Sequence, residues 1–71
     1  MHIMSALDIL TKSIRDFRAN KHTPCNQLVV GTCRRESDAI AIRKALEVRF
    51  PHAIGVSYNA VERVYIVIYT R

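Results

Sequence analysis

Near its C-terminal end the chain runs Val64-Tyr65-Ile66-Val67-Ile68-Tyr69, with no charged or small residue among them, and this run constrains the fold more than any other feature. β-Branched and aromatic side chains favour extended backbone. Val64–Thr70 therefore reads as a strand, with Val64, Ile66 and Ile68 on one face and Tyr65, Val67 and Tyr69 on the other. A strand apolar on both faces belongs in the middle of a sheet or under cover on each side.

The rest of the chain supplies neighbours for that strand. Leu7, Leu10, Ile14 and Phe17 recur at three- and four-residue steps, which marks a first helix capped by Ser5 and stopped at Asn20. Lys21–Asn26, containing Pro24, is a connecting loop. Gln27–Thr32 reads as the first strand. Ser37 to Phe50 reads as a second helix: Ser37 suits the N-cap, Asp38 suits the positive end of the helix dipole, and Pro51 stops it. Its apolar arc is wide, and Ile40 stands outside it among Arg43, Lys44 and Glu47. His52–Tyr58 alternates, with Ile54, Val56 and Tyr58 on one face and Ala53, Gly55 and Ser57 on the other. Asn59–Arg63 is the turn into the last strand.

A right-handed crossover through the second helix makes strands one and two parallel, and the short turn makes strands two and three antiparallel. Placing the most apolar strand in the middle satisfies both constraints. The expected fold is a single small α+β domain over residues 1–71, α-β-α-β-β, with a three-stranded sheet in order 1-3-2 (split β-α-β) and two helices packed on one face. Val64, Ile66 and Ile68 are expected against Leu46, Ile42, Ile14 and Phe17. The element order is similar to the last five elements of β-α-β-α-β-β nucleic-acid-binding folds, such as the Alba family of archaeal chromatin proteins and the C-terminal domain of a bacterial translation initiation factor. The similarity covers most of the chain as topology and hydrophobic pattern. Alba-like proteins carry a lysine-containing turn before the corresponding helix, whereas Met1–Ser5 holds no lysine, so no family binding residue carries over.

Seventy-one residues, 49% of them hydrophobic, suffice for one core but bury only about 60% of the unfolded surface. A second copy is one way for such a small domain to cover what remains, and a homodimer is expected. No apolar run approaches the ~20 residues of a membrane span, and Met1–Leu10 lacks the pattern of a signal peptide. Cys25 and Cys33 flank a strand that holds them roughly 15 Å or more apart, too far for a disulfide. Two free thiols suit a reducing compartment, so the expected location is the cytoplasm, or a host's cytoplasm for a viral protein.

The net charge of +5 is uneven. Lys12, Arg15, Arg18, Lys21, Arg34 and Arg35 face one acid, Asp16, over the interval 12–35, whereas five basic residues face four acids from Glu36 onward. Such asymmetry points to a polyanion, and these six residues are the candidate phosphate contacts of a small basic nucleic-acid-binding protein, largely sequence-independent. The alternative is a protein–protein interaction module or small viral or plasmid-type regulator, acting as a homodimer or docked on a host protein. The doubly apolar last strand, the wide arc of the second helix and Ile40 favour that alternative.

Other chemistry is thinly represented. His22 and Cys25 form one H-x2-C step, but Cys33 and His52 do not complete a zinc pattern. Nothing fixes a Cys–His pair for catalysis, and Glu36 and Asp38 sit where a helix dipole favours acids. Gly31–Arg35 could hold a phosphate at the start of the second helix, yet it lacks the second glycine and the Lys-Ser/Thr of a P-loop. No enzyme activity, metal, cofactor, membrane or small-molecule substrate is expected. Tyr65, Val67 and Tyr69 have three readings: a base-stacking platform on an open sheet, a dimer face, or core beneath the first helix.

Overall fold

The structure, a computed structural model, describes residues 5–20 and 24–71. The elements are α1 (Ala6–Ala19), β1 (Gln27–Cys33), α2 (Glu36–Glu47), β2 (Ile54–Asn59) and β3 (Val64–Thr70). The sheet order is β1-β3-β2, with β3 antiparallel to both neighbours. This is the expected α+β domain, with the most apolar strand in the centre.

Local chemistry accounts for the helix ends. The Ser5 Oγ accepts the Asp8 N–H at 3.2 Å, satisfying one of the donors that every helix start leaves open. The Asn20 N–H closes the other end on the carbonyls of Asp16 and Phe17. Helix α2 departs from expectation. Its N-cap is Arg35, with extended backbone (φ −108°, ψ 135°) and no side-chain cap, so Ser37 lies within the first turn. The helix ends at Glu47, three residues before Phe50, and the turn to β2 passes through His52 at φ 61°. Proline thus acts ahead of its own position, because the chain must leave helical geometry before the residue that precedes it. Among the described residues no helix is long and apolar enough to cross a membrane.

Both helices pack on one face of the sheet, but that face is the opposite of the one expected. Val67 (0% exposed) and Tyr69 (4%) join Ile14, Ala39, Leu46, Phe50 and Ile54 in the core. Phe17 of α1 and Phe50 after α2 each meet the Tyr69 ring edge-on, with centroids 6.0 and 5.8 Å away. Val64, Ile66 and Ile68, expected beneath the helices, lie on the other side and are only half-buried.

The hairpin explains the inversion. Asn59 pairs with Val64, so the connecting loop is Ala60–Arg63, one residue shorter than the turn expected from sequence. Asn59 sets that length: its Oδ1 accepts the N–H groups of Val61 (3.0 Å) and Glu62 (3.2 Å), and Arg63 closes the turn at φ 57°. Directly opposed residues of an antiparallel pair share a face. Tyr58, Val56 and Ile54 are therefore matched with Tyr65, Val67 and Tyr69. A one-residue change of register sends every side chain of a strand to the other face. On the other flank, β1 carries a bulge between Val29 and Gly31. The extra residue, Val30, shifts the alternation, so Leu28 before it, Val30 itself and Cys33 after it all pack toward the core.

Candidate functional site

With the tyrosine face beneath the helices, the other face of the sheet is open among the described residues. Pairing places Val64, Ile66, Ile68 and Thr70 at its centre, with Gln27, Val29 and Thr32 beside them on β1 and Gly55, Ser57 and Asn59 on β2. Val29 pairs with Ile68 and is 58% exposed. No residue of this set carries a charge, although the chain holds eleven basic and six acidic residues. The charged residue that follows β3 turns away from it, whereas Arg34 and Arg63, next to Cys33 and Val64, are exposed at the other end. Arg71, next after Thr70, lays its guanidinium 4.5 Å from the centre of the Phe17 ring and donates to the carbonyls of Phe17 and Asn20, on the helical side. The result is an apolar stripe, Val29-Ile68-Ile66-Val64, bordered by hydroxyls, amides and a glycine.

Tyr65, Val67 and Tyr69 do not form this face. Val67 and Tyr69 are core, the third of the readings open to the sequence. Tyr65 stands at the margin: its ring lies 4.8 Å from that of Tyr58, and its hydroxyl donates to Glu36 Oε2 at 3.4 Å. Partial desolvation, then the Glu36 carboxylate, hold the Tyr65 phenol above its ordinary value. Val67 and Tyr69 are therefore neither stacking platform nor dimer face, because Tyr69 packs against Phe17 and Phe50 and Val67 is buried in the same core.

The structure separates the candidate phosphate contacts into two groups. Lys12 and Arg15 project from α1 and line, with Asp8, Thr11, Asp16 and Arg49, an open concavity of about 510 Å³. Arg49 is pinned there, donating to the buried Thr11 hydroxyl at 2.7 Å and approaching Asp8 at 3.6 Å. Arg18 lies 5.9 Å above the Phe50 ring, just beyond the C-terminal end of α2. Arg34 and Arg35 are exposed at the N-terminal end of the same helix. Twelve helical residues span about 18 Å, so the two groups stand at opposite ends of α2. Lys21 lies outside the described residues, as does His22. Cys25 and Cys33 are both unbridged.

Sequence reasoning missed Val29, Val64, Ile66 and Ile68 as surface residues. The signal that places them was present in Asn59, whose side chain shortens the hairpin loop. Comparison with protein-family models, with curated proteins and with solved structures gives no match to this chain.

Proposed function

We propose that the protein is a small interaction module that pairs with a second copy of itself through the open face of its sheet. The observation that carries this reading is the uncharged apolar stripe of Val29, Val64, Ile66 and Ile68, which no helix covers among the described residues. Contiguous apolar surface on a small domain marks a contact site. A twofold arrangement suits it, since a face without charge can meet its own copy without like-charge repulsion. Two such sheets would pack about 10 Å apart. The face measures roughly 10 Å across three strands and about 20 Å along them, ~200 Å² per partner and below the range of stable specific interfaces. The expected association is therefore weak, with a dissociation constant of hundreds of micromolar or more.

Sedimentation equilibrium tests this directly. Wild-type protein at hundreds of micromolar to millimolar should fit a monomer–dimer equilibrium. Ile66→Lys, which leaves the core untouched, should remain monomeric with an unchanged circular dichroism spectrum. A wild-type sample that stays at 8.1 kDa through the millimolar range would remove the reading.

A second reading, binding of nucleic-acid phosphates, is favoured by a separate observation. Among the described residues only Arg43 and Arg49 form ion pairs, so Lys12, Arg15, Arg34 and Arg35 are exposed cations without a carboxylate partner. Binding of this kind depends little on sequence and weakens steeply with salt as counterions are released. Arg15→Ala should flatten the log–log salt slope by about one unit, whereas Arg43→Ala with Lys44→Ala should change it little. No binding at low salt to single- or double-stranded DNA or RNA would exclude it. The separation of the two basic groups by the length of α2 ranks it second.

A further inference from the structure

The two edge strands of the sheet differ in how they are protected. Edge strands expose unpaired backbone donors and acceptors, and proteins commonly blunt them with bulges, charges or proline. β1 carries a bulge. β2 has none: its six residues Ile54-Gly55-Val56-Ser57-Tyr58-Asn59 pair with β3 in unbroken register and include neither proline nor charge. Beside β2 lies a groove of about 270 Å³, walled by Glu36, Ile40 and Arg43 of α2 and by Val56, Ser57, Tyr58 and Tyr65. Glu36, Ile40 and Arg43 fall at i, i+4 and i+7 and so form one stripe along the helix. This stripe gives Ile40, outside the apolar arc of α2, a specific neighbourhood.

We infer that this groove binds an extended peptide, which adds to β2 as a fourth strand and places alternate side chains between β2 and α2. The backbone chemistry selects the occupant, because the unpaired edge of a strand is complemented by another extended chain. The side chains of the groove select its sequence. Ile40 and Val56 offer an apolar seat at the middle. Arg43 marks one end: its Nε has no hydrogen-bond acceptor, and the nearest carboxylate oxygen, on Glu47, is 3.8 Å away. A carboxylate from the peptide would give that guanidinium the charge-assisted bonds it lacks. Glu36 marks the other end and suits a basic residue.

Direction follows from the topology. α2 begins near Tyr65, through Glu36, and β2 runs antiparallel to it, from Ile54 toward Tyr58. A peptide antiparallel to β2 therefore runs with α2, its basic residue leading and its acidic residue trailing. Glu36 and Arg43 are about 10 Å apart along the helix axis. That span is close to the ~13 Å covered by four steps of an extended chain. The recognised pattern is basic-x-apolar-x-acidic. This inference stands apart from pairing through the open face, with which the groove shares only Ser57.

Fluorescence anisotropy with two labelled probes tests it: fluorescein-Gly-Gly-Lys-Thr-Val-Thr-Glu, and the same peptide with lysine and glutamate exchanged. The first should bind with a dissociation constant below a millimolar and at least fivefold more tightly than the second. Methylating one alternate set of peptide nitrogens should abolish binding, and methylating the other set should not. Arg43→Glu should weaken the first probe at least tenfold, and Ile40→Thr should weaken both, each with an unchanged circular dichroism spectrum. No binding at millimolar protein, equal affinity for the two probes, or indifference to Arg43→Glu would overturn the assignment. Ile66→Lys separates the two surfaces. Unchanged affinity in that variant places the peptide in the groove, and lost affinity places it on the open face and refutes the groove.

Discussion

The two faces of the sheet draw on similar residues and meet different fates. One is Tyr65, Val67 and Tyr69 with Ile54, Val56 and Leu28, and two helices cover it. The other is Val64, Ile66 and Ile68 with Val29, and neither α1 nor α2 covers it. Hydrophobicity alone does not distinguish them, since Ile and Val are at least as apolar as Tyr. Their neighbours do. The covered face of β2 carries Ile54, Val56 and Tyr58, whereas its open face carries only Gly55, Ser57 and Asn59. The bulky set on β2 and the register of a four-residue loop together assign β3. An apolar face can thus be left outside a small core by local turn chemistry.

Substitutions on opposite faces of β3 should break this symmetry most sharply. Tyr69→Ala removes a ring held edge-on by Phe17 and Phe50, and such truncations cost ~3–5 kcal/mol. A domain of this size holds only about 4–10 kcal/mol in all, so the variant should be largely unfolded or close to it in urea titrations. Ile68→Thr, its neighbour in sequence on the open face, should cost less than about 1 kcal/mol in dilute, monomeric protein. Comparable losses at the two positions would mean that both faces are core.

The hairpin supplies the next comparison. Asn59→Ala deletes the acceptor for two backbone donors and should destabilise by about 1–2 kcal/mol in thermal unfolding, because that side chain holds the register. Arg63→Gly should have the opposite sign, neutral to about 1 kcal/mol stabilising, since Arg63 occupies the left-handed region that glycine adopts freely.

Element types and their order were legible in the sequence because each rests on a short-range signal: the periodicity of α1, the Ser5 cap, the alternation of β2, the doubly apolar β3. The central position of β3 followed from chain connectivity. The facing of β3 was not legible from composition, since either phase offers three large apolar side chains. It turns on whether Asn59 belongs to the turn or to the strand, a difference of one residue. The bulge in β1 was equally hidden, because Leu28-Val29-Val30 reads the same with or without it. The candidate site inherited the error: a face read as tyrosine-bearing is aliphatic, and the basic residues that looked contiguous in sequence are divided by the length of α2.

A smaller effect probes the margin of the covered face. Tyr65 is held neutral by desolvation and by Glu36, so its phenol should ionise above the ordinary tyrosine range, and Glu36→Gln should move it back toward that range in an ultraviolet titration corrected with Tyr65→Phe. The raised value favours the neutral phenol in the folded state. Its contribution to stability is therefore complete below about pH 10 and is lost as pH rises through the folded value.

The central claim is that the open face is where a second copy packs, and isotope-filtered nuclear Overhauser spectroscopy on an equal mixture of labelled and unlabelled protein addresses it most directly. At millimolar concentration, intermolecular contacts should connect the methyl groups of Ile66, Ile68 and Val29 with one another and spare those of Ile14 and Leu46. Intermolecular contacts confined to α1 or α2, or none at all at that concentration, would contradict it.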